Sequence, residues 1–124
     1  MFNPAEFLNL ARVVRSQAND EKFARTCVGR AYYAAHLSAR EKVKPLFPAA
    51  FRGRPASDEH EIVRDKLVEL ERGDIKNKLF DLAKKRVRAD YDLCKYQTES
   101  EQVHEVDKAI ELCENILSLL AGVP

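Results

Sequence analysis

The chain reads as an all-α protein: an antiparallel bundle of four or five helices forming one domain over residues 1–124. Three observations predict this. Apolar residues recur at three- and four-residue spacing, and no segment bounded by turn signals alternates with the period of two that a strand requires. Only four glycines and five prolines occur in 124 residues, so long stretches lack breakers. A capping signature, with Asn, Asp or Thr followed three residues later by Glu, opens three of the apolar stretches.

The first helix opens at Asn3-Pro4-Ala5-Glu6. Asn3 can accept backbone N–H groups, Pro4 suits the first turn, and Glu6 can close a capping box. Phe2 and Phe7 are spaced for a hydrophobic staple, and Phe7, Leu8, Leu10, Ala11, Val14 and Ala18 continue the stripe to Asn19-Asp20. The second helix is expected from about Glu21 to Lys44, with Phe23, Cys27, Ala31, Ala34 and Leu37 as its stripe, widened by Val28, Tyr32 and Ala35. Pro45 ends it, because proline lacks a donor and restricts the residue before it. Pro45 to Ser57 is irregular and carries Leu46, Phe47 and Phe51. It reads either as a loop packing its own aromatics or as a mobile basic lid bearing Arg52 and Arg54.

Asp58-Glu59-His60-Glu61 is expected to open the third helix, with Ile62, Val63, Leu67 and Leu70 inward and Gly73 as the residue that ends it. Asp74 is expected to cap the fourth, which carries Ile75, Leu79, Leu82, Ala83 and Val87, with Phe80 beside them. The pattern breaks at Asp90 to Gln97. Thr98-Glu99-Ser100-Glu101 caps the last helix, whose stripe runs from Val103 to Leu120 before Gly122 and Pro124.

Composition bounds the function. Hydrophobic residues are 45% and charged residues 33%, a globular balance. The net charge is +1, so the protein is no polycation and any nucleic-acid site must be a local positive patch. Cys27, Cys94 and Cys113 form neither a disulfide framework nor a CxxC pair. Met1-Phe2-Asn3-Pro4 does not begin a signal peptide and no apolar run is long enough to span a membrane, so a cytoplasmic location is expected. The histidines His36, His60 and His104 lack metal-ligand spacing, and neither a phosphate loop nor a nucleophile elbow is present, so no metal or cofactor is expected.

Two short stretches carry the chemistry: Arg30-Ala31-Tyr32-Tyr33-Ala34-Ala35-His36 and Arg86-Val87-Arg88-Ala89-Asp90-Tyr91-Asp92. Residues three or four apart share a helix face, so Arg30 meets Tyr33, Tyr33 meets His36, and Arg86 meets Asp90. Lys76 to Lys95 holds seven basic residues against three acids, a patch that could face a polyanion. A helix C-terminus favours cations but not the acids of Asp90-Tyr91-Asp92, so an Arg86–Asp90 pair in a cleft accounts better for that end.

The two motifs together resemble the HEPN superfamily of small prokaryotic helical domains, in particular the branch with Arg-Ala-Tyr-Tyr-Ala-Ala on its second helix and Ala-Asp-Tyr at the end of its fourth. His60 at the head of the third helix also fits that branch, and the resemblance covers about Glu21 to Leu120. It implies a dimerising bundle, a role in toxin–antitoxin, antiviral or CRISPR-linked systems, and often a nucleotidyltransferase-like antitoxin partner. It further implies metal-independent RNA cleavage by an arginine and a histidine in a shared cleft. The family's helix-four histidine is absent here, where Arg86 is followed by Asp90-Tyr91. Arg30 and His36 match its spacing on another helix, but lie about 240° apart around it.

On this reading Arg86, Asp90, Tyr91 and His36 are the catalytic candidates, and Arg30, Tyr33, Lys85 and Arg88 the RNA-binding ones. Arg86 and Arg88 would hold phosphate, Tyr91 would orient or donate, and His36 has the intrinsic pKa of a base. The alternative is a non-catalytic interaction module whose Arg–Asp–Tyr cluster locks helices together. A further option is modification by a partner nucleotidyltransferase, with Tyr33 or Tyr91 as acceptor.

Overall fold

The computed structural model describes residues 1–124, which form six α-helices and no strand: α1 (Glu6–Val14), α2 (Glu21–Val43), α3 (Pro48–Phe51), α4 (Ala56–Glu69), α5 (Gly73–Tyr91) and α6 (Glu99–Leu120), with a 3₁₀ turn at Arg15–Gln17 after α1. The all-α bundle is as expected, with one more helix than the sequence suggested. The addition is the single turn α3 inside the proline-rich stretch. Pro48 opens it, Phe51 is buried, and Phe47 packs partly against the core. The stretch thus packs its own aromatics, and Arg54 is paired to Asp58 at 3.0 Å.

α2 is the central helix and packs on α1, α4, α5 and α6. It can do so because much of its buried surface is small: Ala24, Ala31, Ala34, Ala35 and Ala39 are each fully buried, alongside Gly29. Small side chains let neighbouring backbones approach from several directions, while Leu67, Ile75, Leu79, Leu82 and Ile116 fill the remaining core. Burial of each large aliphatic contributes about 1.5–3 kcal/mol. The start of α2 is fixed by Asp20, whose carboxylate accepts the Lys22 N–H at 3.2 Å.

Asn3 Oδ1 accepts the Ala5 N–H at 3.0 Å, and the Phe2 and Phe7 rings meet at 5.1 Å. Glu6 pairs with the Asn9 amide at 3.1 Å instead of turning back to close a box. Thr98 Oγ1 accepts the Glu101 N–H as the signature predicts, while the Glu101 carboxylate reaches one residue further back and accepts the Gln97 N–H in place of that of Thr98, so α6 still opens where expected.

Two helix boundaries differ from expectation. Asp58 does not cap α4, which begins two residues earlier after Pro55, and Asp58 and Glu59 instead place negative charge in the first turn. Gly73 is not the terminator of α4 and Asp74 does not cap α5. Gly73 is the first residue of α5, and Asp74 pairs with Arg72 at 3.1 Å. The left-handed residue is Glu71, at φ 59°. Its N–H donates to the Val68 carbonyl at 2.9 Å and that of Arg72 to Leu67 at 2.8 Å, the two bonds of a Schellman turn. Holding a residue with a Cβ there costs about 1–2 kcal/mol. Glu71→Gly is therefore expected to raise stability by about 1 kcal/mol. Thermal denaturation would check it, and an unchanged or lower Tm would show that the turn carries no strain.

Candidate functional site

The two polar stretches meet at one place. Tyr32 and His36 lie one turn apart on α2, as do His60 and Arg64 on α4 and Arg86 and Asp90 on α5. The rings of Tyr32, His36 and His60 are nearly parallel. The imidazoles stack at 4.2 Å between centres with 9° between planes, and Tyr32 lies 5.6 Å from His36 and 5.7 Å from His60. The Tyr32 hydroxyl is hydrogen-bonded to His60 Nδ1. The guanidinium of Arg86 sits over this group, 5.4 Å from the Tyr32 ring centre and 5.8 Å from that of Tyr33. Asp90 fixes it through a 3.1 Å bond to Nη1.

Beside the stack, between α4 and α5, lies a cavity of about 450 Å³. Its polar wall is Tyr32, Ser57, His60, Arg64, Lys84, Arg86 and Arg88, and its apolar wall is Phe80, Ala83 and Val87. Four cations and no carboxylate line it. The end of α5 that carries these arginines is held by Arg25 of α2. Its guanidinium donates to the carbonyls of Arg88 at 3.3 Å, Ala89 at 2.6 Å and Asp92 at 2.9 Å, and packs over Tyr96 at 4.7 Å.

The protonation states follow from burial. Burial, with the nearby charges of His60, Arg40, Arg64 and Arg86, pushes His36 down to about 3. Burial together with Arg86 and Arg64 also lowers His60, against a smaller opposing pull from Glu59. Burial raises Tyr32 to about 12, so its hydroxyl keeps its proton at neutral pH. Burial works against the charge of Arg86, but Asp90 and the tyrosine oxygens outweigh it and its pKa is raised. At neutral pH the site is a pair of neutral imidazoles among fixed guanidiniums. Burial also pushes Cys113 up to about 12 and raises Cys27, so neither buried thiol is a ready nucleophile.

Comparison of the chain with protein-family models, with curated proteins and with solved structures gives no match.

Of the residues singled out from sequence, Arg86 and Arg88 line the cavity. Tyr33 lies between two guanidiniums, with Arg30 at 5.4 Å as well as Arg86, and Arg30 also covers Phe7 at 4.8 Å. His36 is 3% exposed and lies behind His60, away from the cavity wall. Asp90 is in the Arg86 pair. Tyr91 stands 73% exposed at the end of α5. Lys85 is committed to Glu105 of α6 at 3.2 Å and borders a different, smaller hollow. Tyr32, His60, Arg64 and Phe80 complete the site; none is a site candidate from sequence, although Tyr32 lies in the first motif and His60 also fits the resemblance. The i, i+4 spacing of Tyr32 with His36 and of His60 with Arg64 is the signal that could have found the first three, and that of Phe80 with Lys76 and Lys84 the fourth.

The buried imidazoles tie stability to pH. An unfolded histidine titrates near 6.5, whereas folded His36 does so at about 3. Between these values the unfolded chain holds a proton that the folded one refuses. Stability is therefore full above about pH 6.5 and is lost as pH falls toward 3. From pH 6.5 to 5, above the main carboxylate range, His36 is expected to cost about 2 kcal/mol. Tm measured across this window should fall, and His36→Leu should flatten the slope. A flat wild-type profile would contradict the assignment.

Proposed function

We propose that the chain is a HEPN-like RNA-binding protein and metal-independent endoribonuclease that acts as a toxin or defence effector. The observation that supports it most is the cavity between α4 and α5, where four cations and no carboxylate surround a neutral imidazole. A polyanion suits such a wall, and a neutral imidazole can accept a proton.

In this reading His60, which reaches the cavity, takes the proton of a ribose 2′-hydroxyl as its oxygen attacks the adjoining phosphorus. Arg86 and Arg88 stabilise the charge that builds on the phosphoryl oxygens. The bond to the 5′-oxygen breaks, and that oxygen takes a proton from solvent. His36 and Tyr32 hold His60 in place, and Asp90 holds Arg86. The exposed Tyr91 and the Arg30–Tyr33 pair lie outside this centre and would meet RNA only along its flanks. A homodimer, and a nucleotidyltransferase-like antitoxin or CRISPR-linked partner, belong to the same proposal.

A second reading, a non-catalytic interaction module, has its own support. Arg86 is only 18% exposed and is gripped by Asp90 and two tyrosine rings, which suits a lock between α2 and α5.

The experiment is cleavage of labelled single-stranded RNA in the presence of a chelator. His60→Gln keeps a hydrogen-bonding partner for Tyr32 but cannot act as a base. It is expected to retain RNA binding and to cut at least about a hundredfold more slowly. Undiminished cutting would remove His60 from the chemistry. RNA left intact by the wild type, together with a Tm several degrees lower in Arg86→Ala, would favour the lock.

A further inference from the structure

Phe80 is unexplained by the fold. It stands 42% exposed on α5 at the mouth of the cavity, where its ring adds little to the core. Three cations gather on it: Lys84 at 5.0 Å, Lys76 at 5.4 Å and Arg64 at 5.5 Å from the ring centre. Lys84 alone among them has a carboxylate partner, Asp81 at 3.4 Å, and both members of that pair are about half exposed. Each cation is drawn to the ring's π face, which offsets part of their mutual repulsion, but the three share a single exposed carboxylate partner and the rest of the ring stays open to water. One ligand answers both: a flat ring laid on the open part of Phe80, carrying negative charge that meets the cations.

We infer that Phe80 is a stacking platform for one unpaired base of a single-stranded RNA, with the adjoining phosphates held by Arg64, Lys84 and the arginines further along α5. This rests on the RNA reading above and narrows its substrate to strands whose bases are free. Arg86 and Arg88 follow Phe80 by six and eight residues, about 9 and 12 Å along the helix axis. Six residues turn Arg86 about 240° from Phe80 around α5 and eight turn Arg88 about 80°, yet all three line the one cavity, so base and backbone contacts come from one helix. A duplex keeps its bases stacked inside and cannot offer one to the platform.

The chain has no tryptophan, so Phe80→Trp introduces the sole indole. Its emission would be titrated, in a His60→Gln background so that strands stay whole, with an adenosine decamer, the same strand paired with its complement, inorganic polyphosphate and AMP. RNA binding would be followed separately by anisotropy of a labelled strand. The single strand is expected to quench the indole along its binding curve, whereas duplex and polyphosphate leave emission unchanged. Phe80→Leu, an exposed change that keeps apolar bulk, is expected to weaken single-strand binding by about five- to a hundredfold.

A strand that binds without quenching would overturn the platform and leave the RNA reading standing. Wild-type protein that binds no RNA would overturn both. AMP quenching as strongly as the decamer at equal concentration would assign the platform to a free nucleotide and overturn the strand.

Discussion

The structure turns on one arrangement: three flat rings stacked between α2 and α4, roofed by a guanidinium from α5. Tyr32 and His36 lie too deep for water and must find their partners within the protein, while the half-buried His60 joins them to the cavity. Tyr32 bonded to His60, His36 stacked on His60 and Arg86 laid over Tyr32 meet most of that demand, although His36 Nδ1 and Arg86 Nε are left without a partner. Stacked planes tolerate little rotation, so the stack ties the facing of α4 to that of α2. Burial and the neighbouring guanidiniums keep both imidazoles neutral, so neither can hold an anion by charge.

Much of the fold was legible because it is written in breakers and caps. Pro45, the Asn19-Asp20 break and the Thr98–Glu101 signature each mark a real boundary. The turn between α4 and α5 was not legible, since a glycine stood two residues beyond the strained position. The strained residue is Glu71, held by the two local backbone bonds of its turn. α3 was hidden for a related reason: one helical turn has no periodicity to read.

Within the site, pairs on one helix could be read and groups assembled across helices could not. Arg86–Asp90 and Arg30–Tyr33 are local and sit as their spacing suggests. The pairing of His60 with Tyr32 joins residues from different helices, and nothing in a periodic pattern brings α4 to that part of α2. Lys85 shows the converse. It belongs to a basic run in the sequence, yet Glu105 from α6 takes it out of that run. A cluster of cations in sequence marks only the cations that remain after the rest of the fold has taken its share.

Arg25 has a bearing on how α5 looks from outside. The C-terminal end of a helix bears about half a negative charge on its open carbonyls, and here that end lies just beyond Arg86 and Arg88. Left bare, it would repel an anionic chain arriving from that direction. A planar fork covering three of those oxygens masks this repulsion from within the bundle. A residue outside the cavity wall thus shapes the electrostatic approach to it.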